Sequence, residues 1–191
     1  MKKVFVTTAL LVFALATPLV AQDDDSATVD LNPGDVTVSA SVGFGYGFSL
    51  ALYPGIEVFV AEQDLDGGVN LDFGVAAKGL YNRYSTSYAG DRWGWNTFGL
   101  GGFGTAHLSV VEDDVLFDGF DRFDFYIGLG LVYSAFDYFG PYDDRSYLDY
   151  SGFGFSSIGG LNYYLSDHVA LVFEGTYWGY AGGTIGVLYK F

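Results

Sequence analysis

His107-Leu108-Ser109 sets an imidazole and a hydroxyl two positions apart, which in an extended chain puts both on one face. Such a pair becomes a nucleophile and its base when a third group orients the ring. No carboxylate stands beside it, Glu112 being merely near in sequence, so an interior hydrogen bond is the ordinary reading and no catalytic residue is assigned. His168, in Ser166-Asp167-His168, reads as a solvent-facing turn residue. Asp64-x-Asp66-Gly67-Gly68 and Asp143-Asp144 are the acid clusters that suggest a divalent cation. Neither has the oxygen-ligand spacing of a calcium loop, so neither a metal nor a cofactor is expected. The remaining charges of interest are Glu57, Asp72, Lys78, Asp124, Glu174 and Lys190, each set among small or apolar neighbours. Charges in that setting must be paired or hydrated.

What would position these groups is a strand pattern. Val36, Val38, Ala40, Val42, Phe44, Tyr46, Phe48, Leu50 and Leu52 alternate with Thr, Ser, Gly and Ala, a period of two with one apolar face. The second face is small and nearly uncharged, unlike the water-facing side of a soluble sandwich. The alternation therefore predicts large residues outward in lipid and small ones inward. Tyr53-Pro54-Gly55 reads as a turn and Ile56–Glu62 as a second strand. Leu71, Phe73, Val75, Ala77 and Tyr81 mark a third, with Asp72 and Lys78 on its inner face. Asn82–Asp91 reads as a loop. The fourth strand runs from about Trp93 to Val111, with His107 and Ser109 inward, and Glu112–Asp121 connects it to a fifth with Phe123, Phe125, Ile127, Leu129, Leu131 and Tyr133 outward. Phe136–Tyr150 reads as the longest loop. Its Tyr138, Tyr142, Asp143, Asp144, Tyr147 and Tyr150 make it the candidate contact surface, because exposed tyrosines suit recognition. Three further strands close the series: Phe153–Leu165, Val169–Tyr177 with Glu174 inward, and Gly183–Phe191 with Lys190 inward.

Eight strands return the chain to the side from which it started, as an outer-membrane barrel inserted from the periplasm requires. The fold class expected is all-β: an eight-stranded antiparallel up-and-down transmembrane barrel over residues 36–191, both termini periplasmic. Residues 1–21, basic at Lys2 and Lys3 and then apolar, have the layout of a secretory signal peptide cut after Ala21, too short to span a bilayer as a helix. Residues 22–35 read as an acidic, solvated periplasmic lead-in. Rings near strand ends (Tyr46, Trp93, Trp95, Tyr133, Tyr163, Tyr177, Trp178) are candidates for interfacial girdles. Without cysteine there is neither a disulfide nor a thiolate site, which suits an oxidising compartment. Removing residues 1–21 leaves 6 basic against 23 acidic residues, a net −17 that repels phosphate backbones, so nucleic acid is excluded as a partner.

Size, alternation and the closing Tyr189-Lys190-Phe191 resemble the small outer-membrane barrels, namely the transmembrane domain of OmpA, OmpX and the OmpW type. In that resemblance Tyr189 and Phe191 stand where the barrel-assembly machinery reads its C-terminal signal. The partners implied are outer-membrane lipids, that machinery and an extracellular ligand, with the barrel a monomer; the peptidoglycan-binding domain of full-length OmpA-like proteins has no counterpart in these residues. The resemblance implies a structural or surface-interaction role, or, as in the OmpW type, a narrow channel for small solutes or apolar molecules. The His-x-Ser pair is faintly similar to lipid A deacylases of the outer membrane, which leaves a lipid-modifying enzyme as the remote reading. Eight strands leave an interior that side chains can just fill, so a salt-bridged plug is expected over a pore. Inward glycines (43, 45, 47, 99, 101, 128, 130) keep the pore open as an alternative.

Overall fold

The alternation of large and small residues is realised as β1 (Val36–Phe44), β2 (Leu50–Asp64), β3 (Val69–Tyr88), β4 (Asp91–Val110), β5 (Phe123–Phe139), β6 (Gly152–Ser166), β7 (Val169–Thr176) and β8 (Thr184–Lys190). The computed structural model describes residues 29–44, 50–65, 67–88, 90–110, 119–140, 151–178 and 182–191. Each strand pairs antiparallel with its neighbour in sequence and β8 returns to β1, from Thr37–Lys190 to Gly43–Thr184, closing the barrel. The Phe191 N–H donates to the Val36 carbonyl at 2.9 Å, so the start of β1 and the end of β8 lie at one end of the barrel, here the terminus end. Among the described residues no α-helix occurs; Phe120–Arg122 forms one 3-10 turn leading into β5. The expected signal peptide and the acidic start of the lead-in lie outside the described residues.

The outer face is apolar around the ring. Leu100, Leu129 and Phe155 are 73%, 74% and 88% exposed, while inward neighbours such as Phe103, Val132 and Ile158 are buried.

Three local expectations are corrected. Tyr53-Pro54-Gly55 is no turn but lies within β2, and the chain reverses between Phe44 and Leu50. Pro54 fits inside a sheet because the β2–β3 register passes from Leu52–Tyr81 to Gly55–Lys78, leaving its missing N–H where the ladder makes no pair. Its ring rests against Gly79, the one residue type with no side chain to displace.

Asn82–Asp91 is not a loop either. β3 and β4 stay paired to Tyr88–Asp91, so the chain reverses within the short span between them, where Gly90 has φ +92°. Similarly, Phe136–Phe139 continues β5, and the reach of the expected loop shrinks accordingly. These extensions carry Tyr and Thr, which favour strands without needing an apolar face to bury. Among the described residues the last β2–β3 pair is Leu50–Arg83 and the last β5–β6 pair Ser134–Gly152, while β3, β4 and β5 stay paired beyond them as a three-stranded sheet, to Tyr88–Asp91 and Gly94–Phe139. Residues 84–88 carry β3 roughly 17 Å past the last described β2 pair.

The third correction is at residues 29–35, expected to be solvated. Val29 and Leu31 are buried, the Val29 N–H donates to Asp121 O at 2.9 Å, and the Gly34 N–H donates to Phe59 O at 2.8 Å. Two aliphatic side chains with one residue between them were hidden in an acidic average.

Candidate functional site

Strand register gathers the charged residues of the interior. His107 on β4 stands opposite Asp72 of β3 and Tyr126 of β5, with Asp124 one inward step along β5. Its Nδ1 lies 2.9 Å from Asp124 Oδ2, and its Nε2 lies 3.0 Å from Glu57 Oε1. Asn162 on β6 donates to Asp124 Oδ2 at 2.8 Å. Glu57 comes from β2, two strands away, and also accepts from the Thr105 hydroxyl. Its path crosses Gly74 of β3, where any Cβ would collide with both the Glu57 carboxylate and Thr105 Oγ1. The glycine is what lets β2 and β4 share a polar contact across the strand between them.

A second group sits above this one. Lys78 of β3 pairs with Glu174 of β7, and the Tyr126 hydroxyl donates to the same carboxylate oxygen at 2.6 Å. The Tyr126 ring joins the two groups: it stacks on His107 at 5.1 Å and 16°, and Lys78 Nζ lies 5.8 Å from its centroid. Glu57, Asp72, Lys78, Asp124 and Glu174 thus point inward along one connected interior. Asp72, opposite His107 across β3 and β4, accepts from the Ser109 hydroxyl at Oδ2 over 3.3 Å. Lys190 also points inward, at the terminus end, where its Nζ donates to the Asp30 carbonyl oxygen and lies 4.0 Å from Asp35 Oδ2.

Apolar residues close both ends. Toward the far end, Ala51, Tyr53, Leu80, Phe103, Val132, Ile158 and Trp178 form one buried cluster. Trp178, expected in an interfacial girdle, turns inward: its Nε1 donates to Ser134 Oγ at 2.9 Å and its ring fills the space over Gly99. It follows Glu174 and Thr176 at the inward period, which the sequence displays. At the terminus end, Val29 and Leu31 join Phe59, Tyr164, Ala170, Val172 and Leu188. Beside the charged layers a cavity of about 20 Å³ remains, bordered by Glu57, Lys78, Tyr126 and Asn162. That is room for about one water.

The chemistry available to His107 and Ser109 follows. Both ring nitrogens face carboxylate oxygens, so each ring position is taken by a shared hydrogen whichever group carries it. No ring lone pair is left for the Ser109 proton, which is itself directed to Asp72. The expectation that this pair lacks a carboxylate is corrected: Asp124, Glu57 and Asp72 arrive from neighbouring strands. His168 is exposed, its Nδ1 3.0 Å from Lys190 O and its ring stacked on Tyr189. Tyr189 stands opposite Val38 in the closing pair of strands, and Phe191 is 70% exposed.

No protein-family model and no curated protein matches the sequence. Among solved structures the chain is similar to a de novo designed transmembrane β-barrel, at 17% identity over 85% of this chain and 100% of that one, with a TM-score of 0.48. It is similar to the outer membrane enzyme PagL at 14% identity, 81% and 97% coverage and a TM-score of 0.48. It is similar to Ail, the attachment invasion locus protein of Yersinia pestis, solved with the heparin analogue sucrose octasulfate, at 9% identity, 82% and 95% coverage and 0.43. Likeness at this level carries nothing about chemistry, which rests on the residues.

Of the expected contact loop, Tyr138 lies on β5 opposite Trp95, whereas Tyr142, Asp143, Asp144, Tyr147 and Tyr150 lie outside the described residues. The projecting sheet brings other rings together: Tyr84 stacks on Trp95 at 4.3 Å and meets Trp93 at 5.9 Å, while Arg83 lies 5.5 Å from the Phe139 ring. The cue was the high density of rings between positions 81 and 98, which alternation alone does not rank.

Proposed function

We propose that the chain is an integral outer-membrane barrel with a periplasmic terminus end, a sealed interior, and a structural or surface-contact role carried by the projecting β3–β4–β5 sheet. The apolar outer face supports the membrane placement, since every backbone group in a closed barrel is paired within the wall. The observation that carries the sealed reading is the sequence of layers that the described residues place inside the barrel: an apolar cluster, two linked charged layers, and a second apolar cluster. The engaged ring of His107 and the hydroxyl of Ser109 bound to Asp72 support a non-enzymatic role. Lipids, the barrel-assembly machinery reading Tyr189 and Phe191, and an extracellular ligand at the projecting sheet are the partners of this reading, with the barrel a monomer.

Single-channel recording of the refolded mature protein beside Glu174→Gln tests it. Silence in both is the expected result. A steady conductance that changes with Glu174→Gln would replace the plug with a narrow channel. Hydrolysis of lipid A lost in a folded His107→Ala variant would replace it with an enzyme.

A further inference from the structure

One concavity among the described residues lies outside the barrel, not within it. A groove of about 790 Å³ crosses the outer face, lined chiefly by Gly102, Leu129, Leu131, Phe155, Ser157 and Tyr177. The register explains its shape. Gly102 stands beside Leu131 and Leu131 beside Phe155; one row away, Leu129 stands beside Ser157, whose carbonyl accepts the Tyr177 N–H at 3.0 Å. Phe155, one outward step before Ser157 on β6, and Tyr177, across from Ser157, are each 88% exposed and form two walls. At Gly102, and at Gly104 one outward step along β4, a Cβ would meet nothing within 4 Å. The next outward position on β6 is small as well, Gly159, and it pairs with Gly175.

We propose that this groove seats an acyl chain of a membrane lipid. The inference rests on the reading of the barrel as a membrane protein, because only an occupant within the apolar phase reaches this face. The volume falls in the range of about 300–1,000 Å³ typical of small-molecule sites. Eight residues line the groove, against the roughly 20–30 a side that a stable protein interface uses, so it is too narrow to be a docking surface for a second chain. Its walls are aliphatic and aromatic, and its polar groups are the Ser157 hydroxyl and the Tyr177 phenol, which suit the ester end of a lipid rather than a charged ligand.

The test uses the refolded full-length barrel in detergent micelles containing dipalmitoylphosphatidylethanolamine, with retained lipid read by native mass spectrometry. Wild type is expected to keep one lipid. Gly102→Phe, whose Cβ would meet nothing within 4 Å, and Ser157→Leu are expected to lower the adduct roughly tenfold, the equivalent of about two buried methylenes. Val58→Phe, on the outer face of β2, is expected to leave it unchanged. An adduct that survives both groove variants overturns the proposal. So does a dimer that Gly102→Phe dissolves, which would make a second copy the occupant. Insertion of each protein into phosphatidylcholine vesicles, followed by heat-modifiable gel migration, separates the two levels of argument. If wild type fails to insert, the membrane reading falls; if it inserts and shows no groove-dependent adduct, only the lipid site falls.

Discussion

At the far end the lumen is closed by residues of the barrel wall together with Trp178, just past β7; at the terminus end part of the closure is Val29 and Leu31, which belong to no strand. The far closure therefore forms as the ring forms. The near closure needs a further step, in which residues 29–35 dock through the Val29 and Gly34 backbone bonds. Between the two lies a layer whose charges are tolerable only while both closures hold. An ion pair taken out of water is costly unless its partners stay in place. The contrast thus separates residues that fill space from residues that must be kept paired.

The sharpest way to break this picture is at the middle. Lys78→Met leaves the Glu174 carboxylate between the two closures with only the Tyr126 hydroxyl. Loss of one partner of a buried pair costs about 3–5 kcal/mol, read as a lower urea midpoint for the barrel in vesicles. Lys78→Met combined with Glu174→Leu is expected to recover most of it. A single-variant loss below about 1 kcal/mol would mean that Glu174 is as good as solvated, and that one of the closures leaks.

The next two variants compare the ends directly. Trp178→Ala removes the ring that fills the space over Gly99 and is expected to cost about 3 kcal/mol, since the wall cannot collapse to close the gap. Leu31→Ala is expected to cost about 2 kcal/mol, at the low end for a buried leucine, because its docking segment can shift. Proteolysis at residues 22–35 should rise in Leu31→Ala and stay unchanged in Trp178→Ala. Equal rises in both would mean that the two closures form together.

How far the sequence speaks to all this depends on what alternation can see. Period two places Glu57, Asp72, Lys78, Asp124 and Glu174 on inner faces, because their strands alternate with outward hydrophobes, such as Leu71 and Phe73 around Asp72 or Phe123 and Phe125 around Asp124. It does not pair them, since partners are fixed by register, and register depends on where each strand begins. The register of β2 on β3 is what aligns Glu57 with Ala76 and brings it across Gly74 to His107. Nor does alternation see Val29 and Leu31, which pack into the barrel without being part of it. Trp178 was visible in the 174–176–178 series, but a tryptophan near a strand end also fits an interface, and the two readings differ by one half-turn of the chain.

The smallest predicted effect decides between chemistry and packing at His107-Leu108-Ser109. Ser109→Ala removes one hydrogen bond to Asp72 Oδ2, and the other oxygen, Oδ1, has no partner among the described residues. A hydrogen bond to a charged group is worth about 1.5–3 kcal/mol and a neutral one about 1; at 3.3 Å the contact is long, so about 1 kcal/mol is expected in urea unfolding. Asp72→Asn keeps the shape and an acceptor, and the double variant should lose less than the sum of the singles, because the two residues act through one contact. His107→Phe should not be coupled to Ser109→Ala in the same cycle, since no hydrogen of Ser109 reaches the ring. A coupling as large as that with Asp72 would bring His107 and Ser109 back together as a working pair.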